Sequence, residues 1–253
     1  MILEKLGCCE NRQPFCVYVA GAGGKTSWIH YLAAGERERG KRILILTSTH
    51  MYEPKAFGSV RDEGECLAEE AVRFWEEEIC RRLQTRGIVI AGRRCGQGKI
   101  GWVGENVYER IKPWADVILI EADGSRHLPV KVPEKKEPVI FGDADLIFVT
   151  EGMKAVGKPL GEVCHRLESA KRILGCQAED LVTREMVRQM YREGYETVLQ
   201  AAHPGVPVLP VWVYQEESAD QWEWEQDFQG TVTGILWKHH GIYRLDLEIA
   251  GES

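Results

Sequence analysis

The sequence predicts an α/β fold built as a three-layer sandwich around a mostly parallel sheet, with a C-terminal β-hairpin added to it. Three observations carry this reading. Short, nearly continuous apolar runs such as FCVYVA (15–20) and DVILIEADG (116–124) have the character of strands buried on both faces. Amphipathic stretches of helical length separate these runs, as βαβ units require. The tail, TVTGILWKHHGIYRLDLEI (231–249), instead alternates in two arms around KHHG, the pattern of a hairpin.

The elements follow in order. FCVYVA is the first strand, and KTSWIHYLAAGERERG (25–40) is a helix closing at Gly40. RILILTS (42–48) is the second strand. CLAEEAVRFWEEEICRRLQTRG (66–87) is a long amphipathic helix with its own terminal glycine, followed by the strand IVIAG (88–92). The glycine-rich RRCGQGKIGWVG (93–104) reads as a loop, and ENVYERI (105–111) as a short helix. DVILIEADG is a strand ending in acids, and DLIFVTEG (145–152) is another strand. Helical patterns run near 165–174 and 178–202, and VPVLPVWVY (206–214) is the last central strand unless Pro210 places it at an edge. No repeat or linker interrupts the chain. The expectation is one nucleotide-binding domain over residues 1–215, with residues 216–253 as its hairpin extension.

Composition narrows the class. The 253 residues carry a formal net charge of -7 and are 44% hydrophobic, which fits a folded globular chain and argues against nucleic acid or an anionic membrane as partner. No run approaches the length of a membrane span, and MILEKLGCCENRQPF lacks a signal-peptide core, so a cytoplasmic protein is expected. The 8 cysteines form no C-x-x-C pair and read as reduced thiols. Cys95, set among glycines and cations in GRRCGQGK, is the one whose surroundings would lower a thiol pKa.

The chemistry concentrates at the end of the first strand. Gly21-Ala22-Gly23-Gly24-Lys25-Thr26-Ser27 is a G-x-x-G-K-[ST] loop; the longer P-loop pattern would need glycine where Val19 stands. Glycines let backbone N–H groups turn toward phosphate, Lys25 supplies a point charge, and Thr26 offers Mg²⁺ a hydroxyl. The helix that follows adds its positive N-terminus. Strand before and helix after make this a P-loop NTPase-like arrangement. Such a site needs an acid near the metal, and the end of DVILIEADG supplies Asp123 for Mg²⁺ and Glu121 as a second ligand or to orient water. LTSTHMYEP (46–54) ends the second strand with Thr47, Ser48, Thr49 and His50. His50 is a candidate for phosphate, metal or proton transfer, or else part of a capped strand end. Arg126 follows the acids and could reach a transferring phosphate, whereas Lys135 and Lys136 read as a solvated loop. No N-K-x-D follows a late strand, so the base, adenine or guanine, is unspecified.

AGAGGKTS, LTSTHMYEP, ILIEADGSRHLPVKVPEKKEPVI and AVGKPLGEVCHR, in that order, resemble the YqeC-like family of accessory proteins for selenium-dependent molybdenum hydroxylases. The resemblance spans roughly residues 15–215. It implies a nucleotide-binding role in maturation of those hydroxylases, with the loop on Gly21, Gly23, Gly24, Lys25 and Thr26. Further family stretches fall on Thr49-His50, Glu121 to Gly124 and Gly157-Lys158-Pro159. Three functions compete. The first is an NTPase or phosphotransferase that uses ATP or GTP with Mg²⁺ to prepare or insert the selenium-modified cofactor, through Lys25, Thr26, Asp123, Glu121, His50 and Arg126. The second is a nucleotide-gated carrier without turnover, with Cys95 or Cys164 as carrier thiol. The third is a short-loop ATP-dependent ligase.

Overall fold

A computed structural model describes residue 3 and residues 14–52, 59–62, 69–96, 98–215, 233–239 and 242–248. The chain divides into two compact units. One is made of Met1–Val19, Ile29–Gly124 and Val139–Asp145, the other of Ala20–Trp28, Ser125–Pro138 and Leu146–Ser253. Each is α/β, and parallel pairing predominates in each.

The first unit holds β1 (Phe15–Gly21, up to Val19), β2 (Ile43–Thr47), β3 (His50–Tyr52), β4 (Ser59–Asp62), β5 (Ile88–Arg94), β6 (Lys99–Gly101) and β7 (Val117–Glu121). Its strand order is β1-β7-β2-β5-β6-β3, with β4 also on β5. β1, β2 and β7 are buried along their whole lengths, which is what their unbroken apolar runs demand between covered faces. The parallel register sets Glu121 between Val19 and Thr47, so the carboxyl ends of the three strands are level. Helix α1 (Lys25–Glu38) begins in the second unit and continues into the first. It closes into Gly40 at φ 77°, and α2 (Glu69–Arg86) into Gly87 at φ 75°, as the terminal glycines predict. α3 (Glu105–Ile111) follows β6.

The glycine-rich segment after β5 departs from the loop expectation. β5 continues to Arg94, turns through Gly96 and Gly98, both at positive φ, and returns as β6, on which β3 pairs antiparallel. Ile100, 1% exposed, is the one apolar anchor of β6, too little alternation to read as a strand.

A polar knot ties residues 139–145 to this sheet. Asp143 accepts hydrogen bonds from the Tyr18 hydroxyl at 2.9 Å and from the Tyr108 hydroxyl. Asp145 accepts the Cys16 backbone N–H at 2.8 Å, and Phe141 packs against Trp102 at 4.7 Å between ring centroids. Burial, and then the neighbouring acid, push the Tyr18 phenol far above its usual range. Burial does the same for Tyr108, so both rings remain proton donors.

The second unit holds β8 (Val130–Lys131), β9 (Leu146–Gly152), β10 (Cys164–His165), β11 (Val208–Gln215), β12 (Thr233–His239) and β13 (Ile242–Glu248). β9, β11 and β12 run parallel in that order, β13 is antiparallel on β12, and β8 pairs separately with β10. The expected hairpin is therefore present, with His239 opposite Ile242 across residues 240–241. β11 is internal, not an edge strand. Pro210 is tolerated because the β12 ladder begins only at Val211. α4 (Leu160–Val163) and α5 (Leu167–Leu174) precede α6 (Arg184–Tyr191), which passes through a π-helical turn, Arg192–Glu196, into α7 (Thr197–Ala202). The helix expected from 178 starts at Arg184 because Thr183 caps it, its hydroxyl accepting the Met186 N–H. No described helix is long and apolar enough to cross a membrane.

Replacing Asp143 by alanine strands two buried phenols. Unfolding in urea is expected to show a loss of about 2–6 kcal/mol, from an unsatisfied-donor cost of about 1–3 kcal/mol each. Tyr18→Phe, which removes one donor with the acceptor still occupied, should cost no more than about half of that.

Candidate functional site

The glycine loop belongs to the second unit, where it lies against the carboxyl ends of β9 and β11. Gly21 is at φ 94°, and a Cβ there would come within 2.2 Å of the Thr150 carbonyl oxygen. A Cβ on Gly23, φ 69°, would lie 2.5 Å from both the Gly152 Cα and the Pro129 carbonyl oxygen. Gly24 packs on the Val213 side chain. The Ala22 N–H donates to the Thr150 carbonyl at 2.7 Å, and the Thr150 hydroxyl returns a bond to the Ala22 carbonyl at 3.0 Å. The first two glycines are thus required by backbone packing as well as by anything they might bind. From this anchored turn α1 departs, with Thr26 and Ser27 half-buried in its first turn. Lys25, 5% exposed, folds back so that Nζ donates to the Gly21 carbonyl at 2.7 Å. A buried ammonium is held over a turn at the positive end of a helix, an arrangement suited to an anion.

The segment that supplies Pro129 also carries a charge cluster. Lys131 is fully buried, and its ammonium meets Glu137 at 3.0 Å. Glu137 also accepts from Arg166 at 2.9 Å, and Arg166 reaches Glu134 at 3.3 Å. Burial alone would raise the Glu137 pKa; the Arg166 and Lys131 hydrogen bonds outweigh it and bring the carboxyl down to about 2. Burial, then the charges of Lys131, Arg166 and Arg126, lower His165, which is therefore neutral at neutral pH. Arg126 and His127 adopt left-handed backbone at φ 50° and 63°, and both are exposed, as are Lys135 and Lys136. The sequence reading of Lys135 and Lys136 as a solvated loop holds, and Lys131, for which the sequence offered no role, is buried. The residue pairing that distinguishes it, a lysine six positions before a glutamate with the arginine far downstream, leaves no local signal.

In the first unit the strand-end acids are buried: Asp123 is 0% and Glu121 7% exposed. The hydroxyls beside them serve the backbone. Thr47 Oγ1 donates to the Glu121 carbonyl at 3.0 Å, and Ser48 Oγ to the Val139 carbonyl at 2.6 Å, so the end of β2 is capped onto its neighbours. His50 opens β3 and is exposed. Among the described residues no group of three or more histidine, cysteine or acidic side chains is placed to hold a metal.

Of the two thiols considered as carriers, Cys164 is buried, with its pKa pushed up to about 12 by desolvation and the Glu151 charge. That is the opposite of a nucleophilic thiolate. Cys95 is exposed at the tip of the β5–β6 turn. Cys8, Cys9 and Cys66 lie outside the described residues.

Comparison with known proteins adds one family. Residues 17–168 match the family model described as YqeC protein. An Escherichia coli (strain K12) relative, described as uncharacterized protein YqeC, is 32% identical over 177 residues. That match covers 65% of this chain and 62% of the relative, so the chain spans less than two thirds of the relative's length. The family match contains the glycine loop, the strand-end acids and the Lys131–Glu137–Arg166 cluster.

Because Glu137 titrates lower folded than unfolded, its contribution is present above about pH 4.5 and is lost as the pH falls toward 2. Glu137→Gln should remove roughly 2–3 kcal/mol at neutral pH, and the gap to wild type should narrow on acidification. Paired denaturation curves at pH 7 and pH 3 measure both; a gap independent of pH would contradict the ion-pair account.

Proposed function

The chain belongs to the YqeC family, and from that premise we propose that its glycine loop binds the phosphates of ATP or GTP with Mg²⁺, in the service of maturing a selenium-dependent molybdenum hydroxylase. The observation that carries the phosphate part is Lys25. An ammonium 5% exposed, donating to the Gly21 carbonyl at the head of α1, puts a buried positive charge where the helix end itself favours an anion. The residues present fit the group. Lys25 neutralises phosphate charge, Thr26 contributes a hydroxyl to the metal, and the start of α1 faces the phosphates with its positive end. The metal, when bound, supplies charge neutralisation at the phosphate oxygens. The selenium and molybdenum part rests on the sequence resemblance across AGAGGKTS, LTSTHMYEP and the EADGSRHLPVK stretch.

Asp123 and Glu121 are assigned on their own chemistry: two buried carboxylates at the end of a parallel strand, the first for metal and the second for orienting water. Arg126 and His50 are the further polar candidates of this reading. Carriage by Cys164 is disfavoured because that thiol is buried and held protonated, which leaves the exposed Cys95 as the thiol of the carrier reading.

Titration calorimetry with ATP and GTP in the presence of Mg²⁺ is the direct test. Lys25→Ala is expected to weaken binding by about 10- to 100-fold, the loss of one charge-assisted contact worth about 1.5–3 kcal/mol. Binding unchanged in Lys25→Ala would sink the proposal. Asp123→Asn should keep binding and lose phosphate release; if wild type binds but releases no phosphate, the nucleotide acts as a switch. In cells, the same Lys25→Ala variant should fail to restore activity of the selenium-dependent hydroxylase.

A further inference from the structure

The first unit carries a second polar grouping, in which Arg93 and Thr49 play no part in the nucleotide reading and His50 stands only as one of its further candidates. Four residues stand in line across β3, β6, β5 and β4: His50 opposite Gly101, Gly101 opposite Arg93, and Arg93 opposite Asp62. Directly paired residues share one face of a sheet. A histidine and an arginine therefore flank a position with no side chain, about two strand spacings apart, or roughly 9–10 Å. A Cβ on Gly101 would lie 3.3 Å from His50 Cδ2 and 3.4 Å from the Thr49 carbonyl oxygen, close enough that the imidazole would have to shift slightly to admit it. The imidazole thus leans over a glycine floor.

The arginine is accommodated by a second glycine. A Cβ on Gly104, at φ 91°, would come within 2.8 Å of Arg93 Nη2 and 3.4 Å of its Cζ, so the guanidinium occupies the space a side chain would fill. Arg93 is half-buried, and its Nε is shielded from solvent with no hydrogen-bond partner among the described residues. The Thr49 hydroxyl, next to His50, is likewise buried without a partner among the described residues. A desolvated guanidinium N–H with no acceptor is costly in a folded protein, and native structures keep few of them. A guanidinium so placed is matched by an oxyanion, which takes its fork in two parallel hydrogen bonds.

We propose that Arg93 and His50, over the floor of Gly101, form a binding site for a tetrahedral, phosphate-class oxyanion. A tetrahedral group presents oxygens to both walls at once, one edge to the guanidinium and another to the imidazole N–H, whereas a planar carboxylate satisfies the fork alone. The site stands at the carboxyl ends of β2 and β5, where open parallel sheets place their ligands. It is built from the first unit alone and does not rest on the glycine-loop proposal.

The test is a titration of the full chain with inorganic phosphate, followed by the His50 ring resonances in NMR, assigned with His50→Gln. Wild type should show a saturable shift, and Arg93→Gln should weaken it about tenfold or more. Lys25→Ala should leave it unchanged, which separates this site from the glycine loop. Gly101→Ala, checked for folding by circular dichroism, should also weaken it, because the added methyl crowds the imidazole. A shift that survives in Arg93→Gln, that disappears in Lys25→Ala, or that acetate reproduces at equal ionic strength overturns the proposal.

Discussion

The second unit depends on how closely two stretches of backbone approach one another. Gly21 and Gly23 bring the turn after β1 so near to Thr150, Gly152 and Pro129 that a single methyl group at either position would collide with main chain. Backbone cannot rotate out of the way as a side-chain tip can, so the contact fixes the turn rigidly. Three consequences follow from that contact. Ala22 and Thr150 lock together, the Ala22 N–H donating to the Thr150 carbonyl and the Thr150 hydroxyl to the Ala22 carbonyl. α1 must leave in one direction, which places the Lys25 ammonium over the Gly21 carbonyl. The 125–132 segment, pinned through the Pro129 carbonyl to the Gly152 N–H at 2.7 Å, presents Lys131, two residues beyond Pro129, to its partner Glu137.

That partner explains how the segment tolerates so many cations. A fully buried lysine is unfavourable unless its charge is answered, and Glu137 answers it while also taking Arg166. Burial drives His165 toward its neutral form, and the excess positive charge left by one carboxylate with two cations adds to it. Such a cluster specifies geometry more than it adds stability, since a hydrophobic replacement of similar volume often costs nothing. Here it orients the stretch that also packs behind the glycine loop, so the charge cluster and the loop are two ends of one constraint.

Much of the fold was legible because it rests on local pattern. The apolar runs of β1, β2, β7 and β9 needed both faces covered and found them covered. Gly40 and Gly87 ended their helices as glycines do. What escaped depends on contacts distant in sequence. β6 has one buried apolar residue and is a strand only because β5 and β3 offer it partners. Pro210 sits inside the sheet because a ladder starts one residue later, a fact of register and not of composition. Lys131 was indistinguishable from Lys135 and Lys136 until Glu137 and Arg166 were brought beside it. In the candidate site, the loop, Lys25 and the burial of the strand-end acids could be anticipated. The use of the Thr47 and Ser48 hydroxyls as backbone caps could be named only as the plainer alternative.

The chain also separates two meanings of glycine that look alike in sequence. At Gly21 and Gly23 the space a side chain would need is filled by backbone of the same unit, so these glycines are explained by packing alone, and any ligand is an additional use of the turn they make. At Gly101 and Gly104 the space is filled or bordered by the ends of polar side chains, an imidazole and a guanidinium. Gly104 is also required by its backbone at φ 91°, so what the guanidinium adds is one desolvated N–H, the Arg93 Nε, with no acceptor among the described residues. The glycine that admits main chain speaks for a fold, and the one that admits such a guanidinium leaves room for a ligand. By that criterion the glycine-rich loop draws its claim to phosphate from Lys25 and the start of α1, while the quieter glycines of β6 and its following turn make the more direct case for binding an anion.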